Sequence, residues 1–141
     1  MARALPVIVS MHVATGALGG LLGGSRVAAA VIGPVLHFLG DRMPHEDIDS
    51  HGFEVGTGVA AVAALALVRG PFDRATLGAV ASAAPDVEHV IRLPRPGGRK
   101  LFPSHRRPGW HRVGGVPAEA QLLIAGVLLG AVLAGSKAEL R

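Results

Sequence analysis

The chain of 141 residues contains no cysteine. Disulfide bonds and thiolate metal sites are therefore excluded, and any metal ion must be held by histidine, aspartate or glutamate. Aromatic residues are also scarce, at 4% of the sequence, and alanine, valine, leucine and 20 glycines supply most of the apolar bulk. A β-sandwich would need more alternation of β-branched and aromatic residues, so this composition favours closely packed helices.

The length fits a single domain over residues 1–141 with a core of its own. The pattern of apolar and small residues predicts an all-α fold, an up-and-down bundle of about five Ala/Gly-rich helices. The predicted helices cover residues 6–24, 25–42, 53–68, 73–82 and 118–135. Residues 92–117 are rich in proline and glycine and predict an irregular basic loop, and residues 136–141 predict a polar tail.

Half of the residues are apolar, which is high for a soluble protein. Gly16, Gly20 and Gly24 recur every four residues in the first helix, and such spacing lets helices approach closely in lipid. The longest uncharged runs, 55–68 and 121–136, are shorter than the ~18–20 residues of a simple span. The alternative is a soluble bundle with an Ala/Gly-rich core, but because the helices are apolar nearly all round, we expect a membrane-embedded protein. The small-residue faces would also allow oligomers to form.

Residues 36–52 carry three of the seven histidines and four of the ten acidic residues. On a helix, His37 and Asp41 share one face, and such a pair can chelate a divalent cation. Pro44 disfavours helical geometry at the preceding residue and should end the helix. His45 would then lie on the following turn, close enough to reach the same ion. This segment predicts the edge of a metal site.

If five helices run up and down, the chemistry-bearing residues gather at one end of the fold. The predicted set at that end is His12, His37, Asp41, His45, His51, Glu54, Asp86, Glu88, His89, His105, His111 and Glu119. All seven histidines are in this set, which random placement would rarely produce. The convergence predicts a functional site.

The residues His37, Asp41 and His45 resemble the ligand stretch of the zinc-dependent phospholipase C and single-strand nuclease superfamily. That superfamily is all-helical and holds a zinc cluster with His and Asp ligands. The spacing between Asp41 and His45 is shorter here than in the family pattern.

A second resemblance is to the small inner-membrane metal-dependent hydrolases of the LexA-regulated type. Residues 85–89 resemble their Pro-Asp-Ile-Asp-His element, and His12 matches their lone N-terminal histidine. Residues 105–111 are similar to their His-Arg-Gly-x-Thr-His-Ser element, without the Thr and Ser, and the order of the motifs differs. The resemblance implies a membrane-bound hydrolase that uses Zn²⁺, in a bacterial-type inner membrane.

The candidate metal ligands are His12, His37, Asp41, His45, Asp86 and His89. For His37 and Asp41 the alternative is a buried hydrogen bond that orients two helices. A lone histidine on an apolar face, such as His12, is more often a satisfied core residue. His45 could instead belong to a solvated turn.

Asp86 and His89 could instead be a helix cap and a surface histidine. His105 and His111 lie in the basic loop and could bind metal, contact a phosphate, or be exposed. Asp47, Asp49 and His51 are more typical of a solvated acidic turn than of a ligand set.

The candidate catalytic residues are Glu88, Arg106 and Arg107. Both Glu54 and Glu88 are available as a general base, and the sequence does not choose between them. One or two Zn²⁺ ions would lower the pKa of a bound water, and the arginines would neutralise a phosphate. The predicted function is therefore a membrane-associated zinc hydrolase acting on a phosphoester, with membrane lipid as partner and phospholipid as one candidate substrate.

The alternative function is a non-catalytic integral membrane protein whose His/Asp cluster holds a structural metal ion or only bridges helices. Nucleic-acid binding is disfavoured, because the basic residues between 92 and 112 are interleaved with few aromatics.

Overall fold

The computed structural model describes residues 8–112 and 114–139. Within them the helices are α1 (Val9–Leu22), α2 (Arg26–Gly40), α3 (His51–Arg69), α4 (Arg74–Ala83), α5 (Val87–Val90), α6 (Pro103–Arg106) and α7 (Ala118–Glu139). Two 3-10 turns cover Ala84–Asp86 and Pro96–Gly98. No β-strand occurs in these residues, so the predicted all-α class is confirmed.

The helix boundaries differ from the sequence predictions in several places. Helix α7 continues to Glu139, so most of the predicted polar tail is helical, and residues 140–141 lie outside the described residues. Residues 6 and 7, the predicted start of the first helix, also lie outside them. Helix α2 ends at Gly40, two residues before the predicted end, and contains Pro34. The predicted irregular loop contains the short helix α6.

Helix α1 packs against α2, α3, α4 and α7 and lies at the centre of the fold. Glycines make its contact with α4 unusually close: a Cβ on Gly78 would lie 2.2 Å from the carbonyl oxygen of Gly16. A Cβ on Gly20 would lie 2.2 Å from the carbonyl oxygen of Arg74. The four-residue glycine spacing thus serves helix packing, with α1 and α4 antiparallel. The start of α1 and the end of α4 consequently lie side by side.

Two helices, α3 and the Ala118–Gly135 part of α7, are long and apolar enough to cross a membrane by length and composition. The uncharged run 55–68 is shorter than α3, because the helix also includes Glu54 near its start and Arg69 at its end. Nineteen helical residues extend over about 28 Å.

A short backbone pairing joins the turn after α2 to the segment before α7. His45 and Val116 form an isolated parallel bridge. Gln121 donates from its side chain to the carbonyl oxygens of Glu46 and Val116, at 2.9 and 3.1 Å. Gly115 has φ +110°, and a Cβ there would lie 2.5 Å from the carbonyl oxygen of Pro44. These contacts fix the loop that carries His111 against the end of α2.

Candidate metal centre

The predicted pair at the end of α2 forms as expected. His37 lies on the last turn and Asp41 is the C-terminal cap, and their Nε2 and Oδ2 atoms are 3.2 Å apart. Both residues are 1% exposed. A buried carboxylate needs a compensating cation or hydrogen-bond donors, so the surroundings of this pair decide its chemistry.

The tautomer of His37 is set by the end of α4. Its Nδ1 lies 2.8 Å from the carbonyl oxygen of Ser82, which can only accept a hydrogen bond. Nδ1 therefore carries the proton in the neutral ring, and Nε2 presents its lone pair to Asp41. A histidine that binds a metal through one nitrogen commonly donates the other N–H to a carbonyl group in this way.

His105, on α6, is oriented by the same principle. Its Nδ1 donates to Oε1 of Glu88, on α5. Glu88 also accepts from the backbone N–H groups of Leu101 and Phe102, so both of its oxygens are engaged. Burial alone would raise the pKa of Glu88, but these hydrogen bonds hold it below its ordinary value. Nε2 of His105 therefore also presents a lone pair.

Three acceptor atoms, one each from His37, His105 and Asp86, converge where these side chains meet. Nε2 of His37 lies 3.3 Å from Nε2 of His105, and each is within 3.9 Å of Oδ1 of Asp86. Nε2 of His105 is 3.6 Å from Oδ2 of Asp41. Ligand atoms about 2.1 Å from a tetrahedral zinc ion are about 3.4 Å from one another. The spacing therefore matches that of ligands around one shared cation.

His12 and His111 extend this cluster on two sides of Asp41. Nε2 of His12 is 3.4 Å from Oδ1, and Nε2 of His111 is 3.8 Å from Oδ2. The rings of His12 and His37 stack with centroids 4.0 Å apart. The two oxygens of Asp41 can thus serve two neighbouring groups of ligands.

Many polar atoms of this cluster are buried and have no hydrogen-bond partner among the described residues. They are His12 Nε2, Asp41 Oδ1 and Oδ2, Asp86 Oδ2, His89 Nε2, and His111 Nδ1 and Nε2. Buried polar atoms are nearly always paired, and leaving one unpaired costs about 1–3 kcal/mol. A bound cation would satisfy several of these atoms at once.

The electrostatics favour the neutral imidazole at two positions of the cluster. Burial lowers the pKa of both His105 and His111, so that at neutral pH each ring is uncharged and keeps one nitrogen free of a proton. Burial raises the pKa of Asp86 to about 7, and the neighbouring carboxylates of Asp41 and Glu88 add to the shift against the opposing effect of His37. Metal ions bind neutral imidazoles and ionised carboxylates, and binding of a metal ion to a protonated carboxyl group releases its proton.

Two predicted ligands lie at the margin of the cluster. Nδ1 of His89 lies 3.2 Å from the ammonium group of Lys100, and its ring packs edge-on against His105. His89 therefore groups with Glu88 and His105. His45 is buried, but its Nδ1 lies 2.5 Å from the carbonyl oxygen of Met43 and its Nε2 faces Asp47 at 3.6 Å. It belongs to none of the metal-binding groups found in the described residues.

The predicted catalytic residues also have other contacts. Glu88 accepts a hydrogen bond from His105 and so orients its ring. Arg106 donates to the carbonyl oxygen of Lys100, and the guanidinium of Arg107 lies 5.4 Å from the centroid of the Trp110 ring. Glu54 is 0% exposed and neither of its oxygens has a hydrogen-bond partner among the described residues.

Sequence reasoning underrated His105 and His111 because they lie in a loop rich in glycine and proline. The sequence pointed to them only through their six-residue spacing, which is similar to that of the two histidines in the His-Arg-Gly-x-Thr-His-Ser element of the inner-membrane hydrolases. Lys100 was not singled out, although its positive charge acts on Asp86 and on His111. No protein-family model, curated protein or solved structure was found to match the chain.

Proposed function

We propose that this protein is a membrane-associated, zinc-dependent hydrolase that acts on a phosphoester. The observation that carries the proposal is the convergence of two imidazole nitrogens and the carboxylate of Asp86 on one buried point, with Asp41 beside it. His37 and His105 both use Nδ1 as a donor to a fixed acceptor. In the neutral rings their Nε2 atoms are therefore both acceptors, and their approach to 3.3 Å is unfavourable unless a metal ion or a proton lies between them.

The donor set suits zinc in particular. Imidazole nitrogens together with carboxylates are ligands that Zn²⁺ accepts, whereas Ca²⁺ and Mg²⁺ prefer oxygen ligands alone. When bound, such an ion would polarise a phosphoryl oxygen and lower the pKa of a water molecule. Ser82 and Glu88 would keep the two imidazoles in the binding tautomer, and the ammonium group of Lys100 would attract the phosphate.

Exposed apolar side chains support residence in a membrane. Val27, Val31, Val35 and Leu39 form a stripe along four turns of α2, and each is between 51% and 76% exposed. Large exposed apolar residues also occur on the two long helices, such as Leu67 on α3. Soluble monomers rarely expose contiguous apolar surface of this extent. Lipid would cover these faces.

A groove next to the cluster supports a substrate with a hydrocarbon chain. The groove has a volume of about 480 Å³ and lies between α1, α3, α4 and α5. Its walls are apolar, with Val13 and Val59 among them, and Asp86 lies at its polar end. A lipid whose chain occupies this groove would bring its phosphoester to the side chains of the cluster.

The metal-binding step can be tested with two matched substitutions. Asp41→Asn removes a buried carboxylate that His12, His37 and His105 all approach, whereas Asp49→Asn removes an exposed one eight residues away. After purification in zinc, we expect near-stoichiometric metal in wild type and in Asp49→Asn. Asp41→Asn should lose most of it while retaining its helical circular dichroism.

The catalytic step needs a separate measurement. Wild type should hydrolyse a phosphodiester or phospholipid in the presence of zinc, and Asp41→Asn should not. Stoichiometric metal without hydrolysis by wild type would favour the alternative, a structural metal in a non-catalytic membrane protein. The absence of bound metal in wild type would favour a cluster held together by hydrogen bonds alone.

The groove can be tested with Val59→Trp, which adds bulk to its wall. Val31→Trp is the matched control, since Val31 is as exposed as Val59 but lies on α2 outside the groove. Val59→Trp should slow hydrolysis of a long-chain phospholipid and leave a short, water-soluble phosphodiester unaffected. Equal rates for both variants on both substrates would contradict a role of the groove in binding the chain.

A further inference from the structure

The proposed function uses His105 and Lys100 of residues 92–112 and gives no role to the exposed arginines of that segment. Residues 92–112, the basic segment, contain seven arginine or lysine residues and no acidic residue. Arg92, Arg99 and Arg112 are exposed, and Arg95 uses Nη2 to bond the carbonyl oxygen of Glu88 at 2.9 Å. Exposed cations therefore lie on a segment that Arg95 ties to α5.

The basic segment is attached to the end of α2 through Trp110. The indole Nε1 donates to the carbonyl oxygen of Phe38 at 3.1 Å, and the two rings pack with centroids 4.3 Å apart. The guanidinium groups of Arg42 and Arg107 lie 4.9 and 5.4 Å from the centroid of the Trp110 ring. Tryptophan flanked by arginines is typical of the polar boundary of a membrane.

The described residues that join α3 to α4, at the far end of α3, carry fewer exposed cations than the basic segment does. The connection between α3 and α4 is flanked by Arg69 and Arg74, and Arg69 is engaged by Asp73 at 2.9 Å and by the carbonyl oxygen of Val132. Positive residues close to the ends of spanning helices favour the cytoplasmic side, while acidic residues contribute little to orientation. Anionic lipids of the cytoplasmic leaflet attract such clusters.

We propose that the basic segment binds anionic lipid head groups at the cytoplasmic face of the membrane, so that the His/Asp cluster opens toward the cytoplasm. The inference rests on the membrane residence within the proposed function but not on zinc binding or hydrolysis. In this proposal the arginines of the basic segment bind lipid head groups, and this role does not depend on any contact with the reacting phosphate.

The lack of cysteine makes the orientation directly measurable. Arg99→Cys places one thiol in the basic segment, and Phe72→Cys places one between α3 and α4, where the side chain is 69% exposed. A membrane-impermeant maleimide added to bacterial spheroplasts should label Phe72→Cys at once and Arg99→Cys only after permeabilisation. Labelling of Arg99→Cys from outside, or the same labelling of both variants, would overturn the proposal.

Extraction of membranes with carbonate distinguishes a wrong orientation from a lack of membrane residence. A chain released from membranes by carbonate is not integral, and the proposed membrane residence and the orientation then fail together, whereas zinc binding and hydrolysis are tested separately. A chain that stays in the membrane but shows the opposite labelling pattern overturns the orientation alone.

Lipid binding by the segment can be followed through Trp110, the only tryptophan in the chain. In nanodiscs, phosphatidylglycerol added to zwitterionic lipid should shift its emission, and high salt should reverse the shift. Arg92→Gln combined with Arg99→Gln should weaken the response, whereas Arg26→Gln, near the far end, should not. Emission that is insensitive to anionic lipid in wild type would contradict the proposed binding.

Discussion

His105 and Glu88 form a hydrogen bond in which Nδ1 of the ring donates to Oε1 of the carboxylate. This contact turns Nε2 of His105 toward Asp41 and Asp86, on elements far away in the sequence. Glu88 is itself held by the N–H groups of Leu101 and Phe102, so the whole arrangement is rigid. The carboxylate that the sequence offers as a base therefore also orients the imidazole of His105.

Glu88→Gln should lower zinc affinity about 10–100-fold, as is typical for a residue that orients a ligand. Glutamine can still accept from His105 through one atom, but its amide group would then oppose the N–H of Leu101. Titration with zinc against a competing chelator measures the effect. Glu119→Gln, at an exposed carboxylate on α7, is the control and should bind as wild type does. Unchanged affinity in Glu88→Gln would contradict the positioning role.

The helical elements and the central ligand pair could be predicted from sequence because each depends on local spacing. Periodic apolar residues define the helices, and the four-residue interval between His37 and Asp41 places both on one face. The contact of His105 with this pair depends on the path of a loop, for which no periodicity exists. The hydrogen bond from His37 to the carbonyl oxygen of Ser82 likewise depends on how closely α2 and α4 pack, and that distance was not predictable.

Gly78→Ala should destabilise the protein by about 1–3 kcal/mol, the usual cost of overpacking. The added methyl group would lie 2.2 Å from the carbonyl oxygen of Gly16 and 2.9 Å from Cα of Gly20, so α1 and α4 must move apart. Gly126→Ala is the control on α7, where a Cβ would meet nothing within 4 Å. It should be neutral or stabilising by up to about 1 kcal/mol. Unfolding in detergent, followed by circular dichroism, measures both, and equal stabilities would argue against the close helix contact.

Asp73 predicts a pH dependence of stability. Burial alone would raise its pKa, but the hydrogen bonds from Arg69 and from the N–H of Ala75 hold the pKa below 3.8, its ordinary value. Because the folded pKa is the lower one, the stabilisation is complete above pH 3.8 and is lost as the pH falls through the folded pKa. Asp73→Asn retains an N-terminal cap and removes the charge. Its stability deficit, about 1 kcal/mol or less at neutral pH, should shrink on acidification, and a deficit independent of pH would assign the effect to lost packing.

Removal of metal should destabilise the folded chain, because the cluster joins α1, the ends of α2 and α4, and the loop before α7. Metal that binds only the native state stabilises it by about 2.7 kcal/mol at one hundred times its dissociation constant. A chelator should therefore lower the unfolding temperature of zinc-loaded wild type, and added zinc should restore it. Magnesium, which prefers oxygen ligands, should restore little. Asp41→Asn should unfold at the same temperature with or without chelator. If the chelator also leaves the unfolding temperature of wild type unchanged, then His–carboxylate hydrogen bonds, rather than a shared cation, hold these elements together.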